Sequence, residues 1–96
     1  MASTSVSVAL IGWGAIAHSV FQRMAQFPGI RITHVVVRPG KVAETQAQLG
    51  SAALAVASVP AEVQLVLECA GHTALTEHVL PALRCGVSCG VLSVGA

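Results

Sequence analysis

Val6-Ser-Val-Ala-Leu-Ile-Gly12-Trp-Gly14-Ala-Ile-Ala17-His18 is a β-branched apolar run that breaks at two glycines and resumes at helical spacing. It reads as a strand, a tight turn and a helix start. Gly12 permits the turn that leaves the strand, and Gly14 has no Cβ to obstruct a pyrophosphate approaching the backbone. Ala17 is small enough for the helix to pack close to the strand. Backbone N–H groups at the new helix terminus, with the positive end of the helix dipole behind them, suit an anion. Taken alone, the pattern fits an ordinary strand–helix joint as well as a phosphate cradle. The rest of the chain decides between the two.

Ninety-six residues make one domain, assigned here to residues 1–96. Hydrophobic residues are 54% and charged residues 9%, against a usual charged share of about 25%. Such a chain has little polar surface, and a covering partner or domain is expected. Five basic and four acidic residues, a formal net charge of +1, form no basic stripe, which sets nucleic acid aside. His18, Arg38, Glu68 and Arg84 interrupt every apolar stretch before the ~18 residues a membrane span needs. No basic residue precedes Arg23, so the start does not resemble a secretory signal, and a cytoplasmic location is expected. Cys69, Cys85 and Cys89 match no zinc spacing and are expected as reduced, buried thiols. Cys85-x-x-x-Cys89 with His72 and His78 gives no metal site, because Gly86 separates a helix end from a strand.

The first helix should place Ile16, Val20, Met24 and Phe27 on one face and stop at Pro28-Gly29. Residues 30–37 give a second strand, 41–49 a polar helix closed by Gly50, and 54–57 a short third strand. Residues 63–69 give a fourth strand and 87–94 a fifth, in which Gly90 is a weak point. The helix between them, over 73–84, should turn Leu75, Val79, Leu80 and Leu83 inward and be kinked in its last turn by Pro81. Strands alternating with helices require right-handed crossovers, which build a parallel sheet covered on both faces. The fold class is therefore α/β, a Rossmann-like doubly wound sheet of five strands in the order 3-2-1-4-5, truncated before a sixth.

Ligands in this layout bind beyond the carboxyl ends of the strands, where the strand order reverses. Four strand ends meet there: the Gly12 turn, Arg38, Cys69-Ala-Gly-His72 and Val94-Gly-Ala96. Their convergence favours a dinucleotide over a plain turn. An NAD-selective site sets an acid about 20 residues past the glycines, whereas an arginine meets a 2′-phosphate. Here that residue is Arg38, with no acid before Glu44, which favours NADP, or use of both NAD and NADP, over strict NAD selectivity.

Val66-Leu-Glu68-Cys-Ala-Gly-His72, Glu77-His78-Val-Leu-Pro81-Ala-Leu and Ser93-Val-Gly-Ala96 together resemble the bacterial NAD(P)-dependent L-aspartate dehydrogenases. The resemblance runs in order from the Gly12 turn to Ala96 and is least distinctive over 41–60. It implies oxidative deamination of L-aspartate, through iminoaspartate, to oxaloacetate and ammonia, with hydride passing to the nicotinamide and a role in pyridine-nucleotide synthesis. It implies that Gly12, Gly14, Ala15 and Ile16 cradle the pyrophosphate and that Cys69, Ala70 and Gly71 line the cofactor cleft. Ala96 would lie on the nicotinamide side. His72 either faces substrate or caps the following helix, with the cap favoured. His18 and His34 are expected to be structural, and His78 a surface residue.

No catalytic residue is assigned within the chain, since the family's acid–base histidine, substrate pocket and main dimer contacts belong to a second domain expected beyond Ala96. An amino acid partner is expected only with that domain. A free-standing NAD(P)-binding or sensing module, or a related dehydrogenase of another amino acid or a sugar, are the competing readings. An open sheet edge at strand five predicts association in solution, and the full-length family is expected to be homo-oligomeric.

Overall fold

A computed structural model of the chain describes residues 5–71 and 75–92. Five strands form one parallel sheet: β1 (Val6–Ile11), β2 (Ile30–Val36), β3 (Leu54–Val56), β4 (Leu65–Glu68) and β5 (Ser88–Val91). Their spatial order is β3-β2-β1-β4-β5, the order that the alternation of strands and helices predicts. The chain winds from β1 outward to β3, then returns to lay β4 against the other side of β1. The order therefore reverses between β1 and β4.

Apolar residues on both pleats of the central strands bury the sheet from two sides. Val8 and Leu10 face α1 (Ala15–Met24) and α2 (Val42–Leu49), together with Val35 and Leu67. Ala9 and Ile11 face the opposite way, with Val36, Val66, Val79 and Ala82. This second face is covered by α3 (Leu80–Arg84), which follows a wide π-type turn at Leu75–Val79. Register shifts by one residue between Val8 and Ala9, leaving Thr33 of β2 as the extra residue of a bulge.

The helix faces differ from the sequence expectation. α1 turns Ala17, Val20, Phe21 and Met24 to the core, while Ile16 is 47% and Phe27 57% exposed. The helix ends at Met24, and the N–H groups of Gln26 and Phe27 turn back to the carbonyls of Arg23 and Met24, taking Phe27 out of helical phase. Val79, which closes the π-type turn, is buried as expected, but in α3 it is Ala82 that is buried, and Leu80 and Leu83 are exposed. Pro81 accounts for the irregularity: its ring excludes the carbonyl four residues back, and the backbone widens upstream of it instead of kinking in the last turn.

Gly90 pairs in register with Leu67, and a Cβ built there would lie 2.9 Å from Leu67 Cδ2. The glycine thus makes room for a core leucine in the neighbouring strand. Of the cysteines, Cys69 is buried and Cys89 half-buried, but Cys85 is exposed, because it follows the last turn of α3. His72, Ser93, Val94 and Ala96 lie outside the described residues.

Candidate dinucleotide site

The carboxyl ends of β1, β2, β3 and β4 open into one cavity of about 680 Å³, with Gly12, Arg38, Ala57 and Ala70 on its walls. Gly12 sits at φ +100°, where a side chain is strained, and an added Cβ would come within 3.0 Å of Ala70 Cβ. The turn after β1 and the loop after β4 therefore touch at the point where the strand order reverses. Gly12 N–H donates to Val36 O at 2.8 Å, and Cys69 N–H donates to Ile11 O at 3.0 Å, so all three strand ends are tied together.

Gly14 caps α1 in extended backbone, φ −94° and ψ −163°, and a Cβ there would meet nothing within 4 Å. No side chain caps the helix and no acid stands in its first turn. The first N–H groups of α1 thus have no side-chain cap, and the positive end of the helix dipole lies behind them. A glycine required for the turn and a second fronted by open space are what a pyrophosphate cradle needs. The residues present fit a dinucleotide.

Glu68 is fully buried at the end of β4, and its Oε2 accepts N–H bonds from Ala70, at 2.6 Å, and from Gly71. Both bonds are charge-assisted, which offsets the cost of burying a carboxylate. They fold the loop back on itself, with Gly71 at φ +117°. The amides of Ala70 and Gly71 are consequently directed at Glu68, and the Ala70 side of the loop is what meets the cavity. Cys69 packs its side chain into the core with Val8 and Leu10 and contributes no thiol to the cavity wall. Burial, and after it the Glu68 charge, push the Cys69 thiol up to about 11. Ala15 and Ile16 lie exposed on the first turn of α1.

Several cavity residues carried no functional signal in the sequence. Trp13 stands between the two glycines, its Nε1 donating to Gln48 Oε1 at 2.7 Å. Its ring meets His18 at a centroid distance of 3.9 Å and Phe21 edge-on at 5.5 Å. His18 Nδ1 lies 2.8 Å from Gly14 O, and because a carbonyl only accepts, the imidazole donates this bond from Nδ1. His18, expected as merely structural, and His78, expected on the surface, both line the cavity. Lys41, Glu44 and Gln48 reach it from α2 and the turn before it. Their spacing of three and four residues marks one helical face, a signal that only the direction of the cavity makes readable. Among the described residues no three His, Cys, Asp or Glu side chains gather to hold a metal.

Residues 12–96 match the family described as homoserine dehydrogenase, NAD binding domain. The chain is 38% identical to the L-aspartate dehydrogenase of Pseudomonas aeruginosa over 98 residues, covering 95% of this chain and 36% of that protein. It is 42% identical to that of Ruegeria pomeroyi over 93 residues, covering 95% of this chain and 33% of that protein. The chain thus spans about a third of the length of the curated relatives it matches. Among solved structures, apo scyllo-inositol dehydrogenase from Lactobacillus casei superposes with a TM-score of 0.69 at 12% identity, covering 95% of this chain and 29% of that one. The WlbA dehydrogenase from Chromobacterium violaceum, in complex with NADH and UDP-GlcNAcA, gives 0.61 at 14% identity, covering 96% and 36%. These two likenesses concern the fold.

Proposed function

The chain belongs to the family of homoserine dehydrogenase NAD-binding domains, and on that footing we propose that it is the dinucleotide-holding part of an L-aspartate dehydrogenase. The observation that carries this reading is the meeting of Gly12, Arg38 and Ala70 in one cavity at the reversal of strand order. Gly12, Gly14, Ala15 and Ile16 cradle the pyrophosphate; Arg38 stands at the adenosine ribose; Ala70 and Gly71, with the Cys69 backbone, close the cleft behind it. Ala96 belongs to the nicotinamide side in this reading, and His72 is a helix cap in preference to a substrate contact; both lie outside the described residues.

A bound nicotinamide would supply the hydride acceptor for oxidation of L-aspartate at its α-carbon; with loss of a proton from the amine this would give iminoaspartate, which water would hydrolyse to oxaloacetate and ammonia. The chain's own residues hold and orient the acceptor. We place the acid–base histidine, the substrate pocket and the principal subunit contacts in the part of the relatives that this chain does not span, and the enzyme in the cytoplasm. No helix among the described residues is long and apolar enough to cross a membrane.

Arg38 favours NADP, or use of both cofactors, because a guanidinium fork matches a 2′-phosphate. Titration of NADH and NADPH tests this. Arg38→Ala is expected to weaken NADPH about tenfold while leaving NADH nearly unchanged. Equal affinities for the two before and after the substitution would remove the argument.

A further inference from the structure

The cavity rim carries a second cation beside Arg38, and a carboxylate that holds it. Arg38 leads directly into a 3₁₀ turn, Pro39–Lys41, closed by the Lys41 amide donating to Arg38 O at 2.8 Å. That turn brings both basic side chains to the same rim. Lys41 Nζ lies 3.6 Å from Glu44 Oε1, one turn on, with the two side chains 61% and 60% exposed. All three groups border the cavity that Gly12 and Ala70 also line.

We propose that Lys41 and Glu44 are an exchangeable pair that sets the preference between the 2′-phosphorylated dinucleotide and its unphosphorylated counterpart. Lys41 leaves Glu44 for the 2′-phosphate, and Glu44 opposes that phosphate by its like charge. The proposal rests on the dinucleotide reading of the cavity given above. Exposed ion pairs contribute little, so breaking the Lys41–Glu44 contact costs little. A phosphate near its second ionisation offers Lys41 more charge and more acceptor oxygens than one carboxylate does. With an unphosphorylated ribose nothing draws Lys41 away, the pair stays closed, and the rim keeps only the Arg38 charge. Glu44 thus prevents the two cations from making the site exclusive to the phosphorylated form.

The test is a titration of NADH and NADPH against the unchanged chain, Glu44→Gln, Lys41→Met and Lys41→Arg, read by quenching of Trp13, the single tryptophan. Glu44→Gln is expected to raise the preference for NADPH over NADH about three- to tenfold at low salt, and Lys41→Met to lower it by a similar factor. Lys41→Arg should keep it within about twofold. These changes should shrink as ionic strength rises to about 0.3 M. Both side chains are exposed, so folding is expected to survive, and a thermal melt of each variant verifies that. A preference unmoved by Glu44→Gln and Lys41→Met, or equal shifts for both dinucleotides, overturns the proposal. If the unchanged chain binds both and only Arg38→Ala moves the ratio, the pair falls while the cofactor reading stands; if it binds neither, both fall.

Discussion

Gly12 carries two constraints at once: a backbone angle of φ +100° and an approach to Ala70 so tight that an added methyl group would force Ala70 aside. Gly12→Ala is therefore expected to lower stability by about 3 kcal/mol, the sum of a left-handed backbone penalty and a close contact against Ala70. Urea denaturation measures it, and a loss below about 1 kcal/mol would contradict the described joint between the β1 and β4 loops. Single residues could be read from the sequence where the local pattern of strand end and turn fixes their place. Gly12, Gly14 and Arg38 stand where strand ends and turn chemistry place them. Glu68, Trp13 and Lys41 act through partners distant in sequence or through a turn, and no local rule announces a carboxylate folded back on the Ala70 and Gly71 amides.

Among the elements, α2 and the edge strand β3 are joined by one side chain. Gln46 Nε2 donates to Gly50 O and Ala53 O, both at 3.0 Å, while its Oε1 accepts the Ala55 N–H at 2.8 Å. It satisfies the loop that begins at Gly50, with φ +60°, and ends in β3. Gln46→Ala should cost about 2 kcal/mol, from three hydrogen bonds partly replaced by water, and should raise hydrogen exchange first at Ala55. Protection at Ala55 equal to that of the unchanged chain would count against this staple. Strand order was readable because β-branched runs and right-handed crossovers leave few arrangements. Helix faces were not, since a face depends on phase. The early end of α1 removed Phe27, and Pro81 widened the turn that sets the phase of α3.

For the molecule as a whole, few charges and a sheet with two edges leave apolar side chains outside. Leu54 on β3 is 58% exposed and Val91 on β5 50%, with Leu80 and Leu83 exposed on α3. Edge strands so furnished are expected to pair, and sedimentation should show average mass rising with concentration. A single monomeric species across the range would contradict that expectation.

Whether the turn between β1 and α1 holds a dinucleotide is decided at Gly14, where an added Cβ meets nothing within 4 Å among the described residues. The measurement is a titration of NADH and NADPH against the unchanged chain and Gly14→Val, followed by Trp13 fluorescence. Saturable one-to-one binding is expected, weakened at least about tenfold in the variant, whose stability changes by no more than about 1 kcal/mol. Absence of saturable binding by the folded chain, or equal affinity in Gly14→Val, would contradict it.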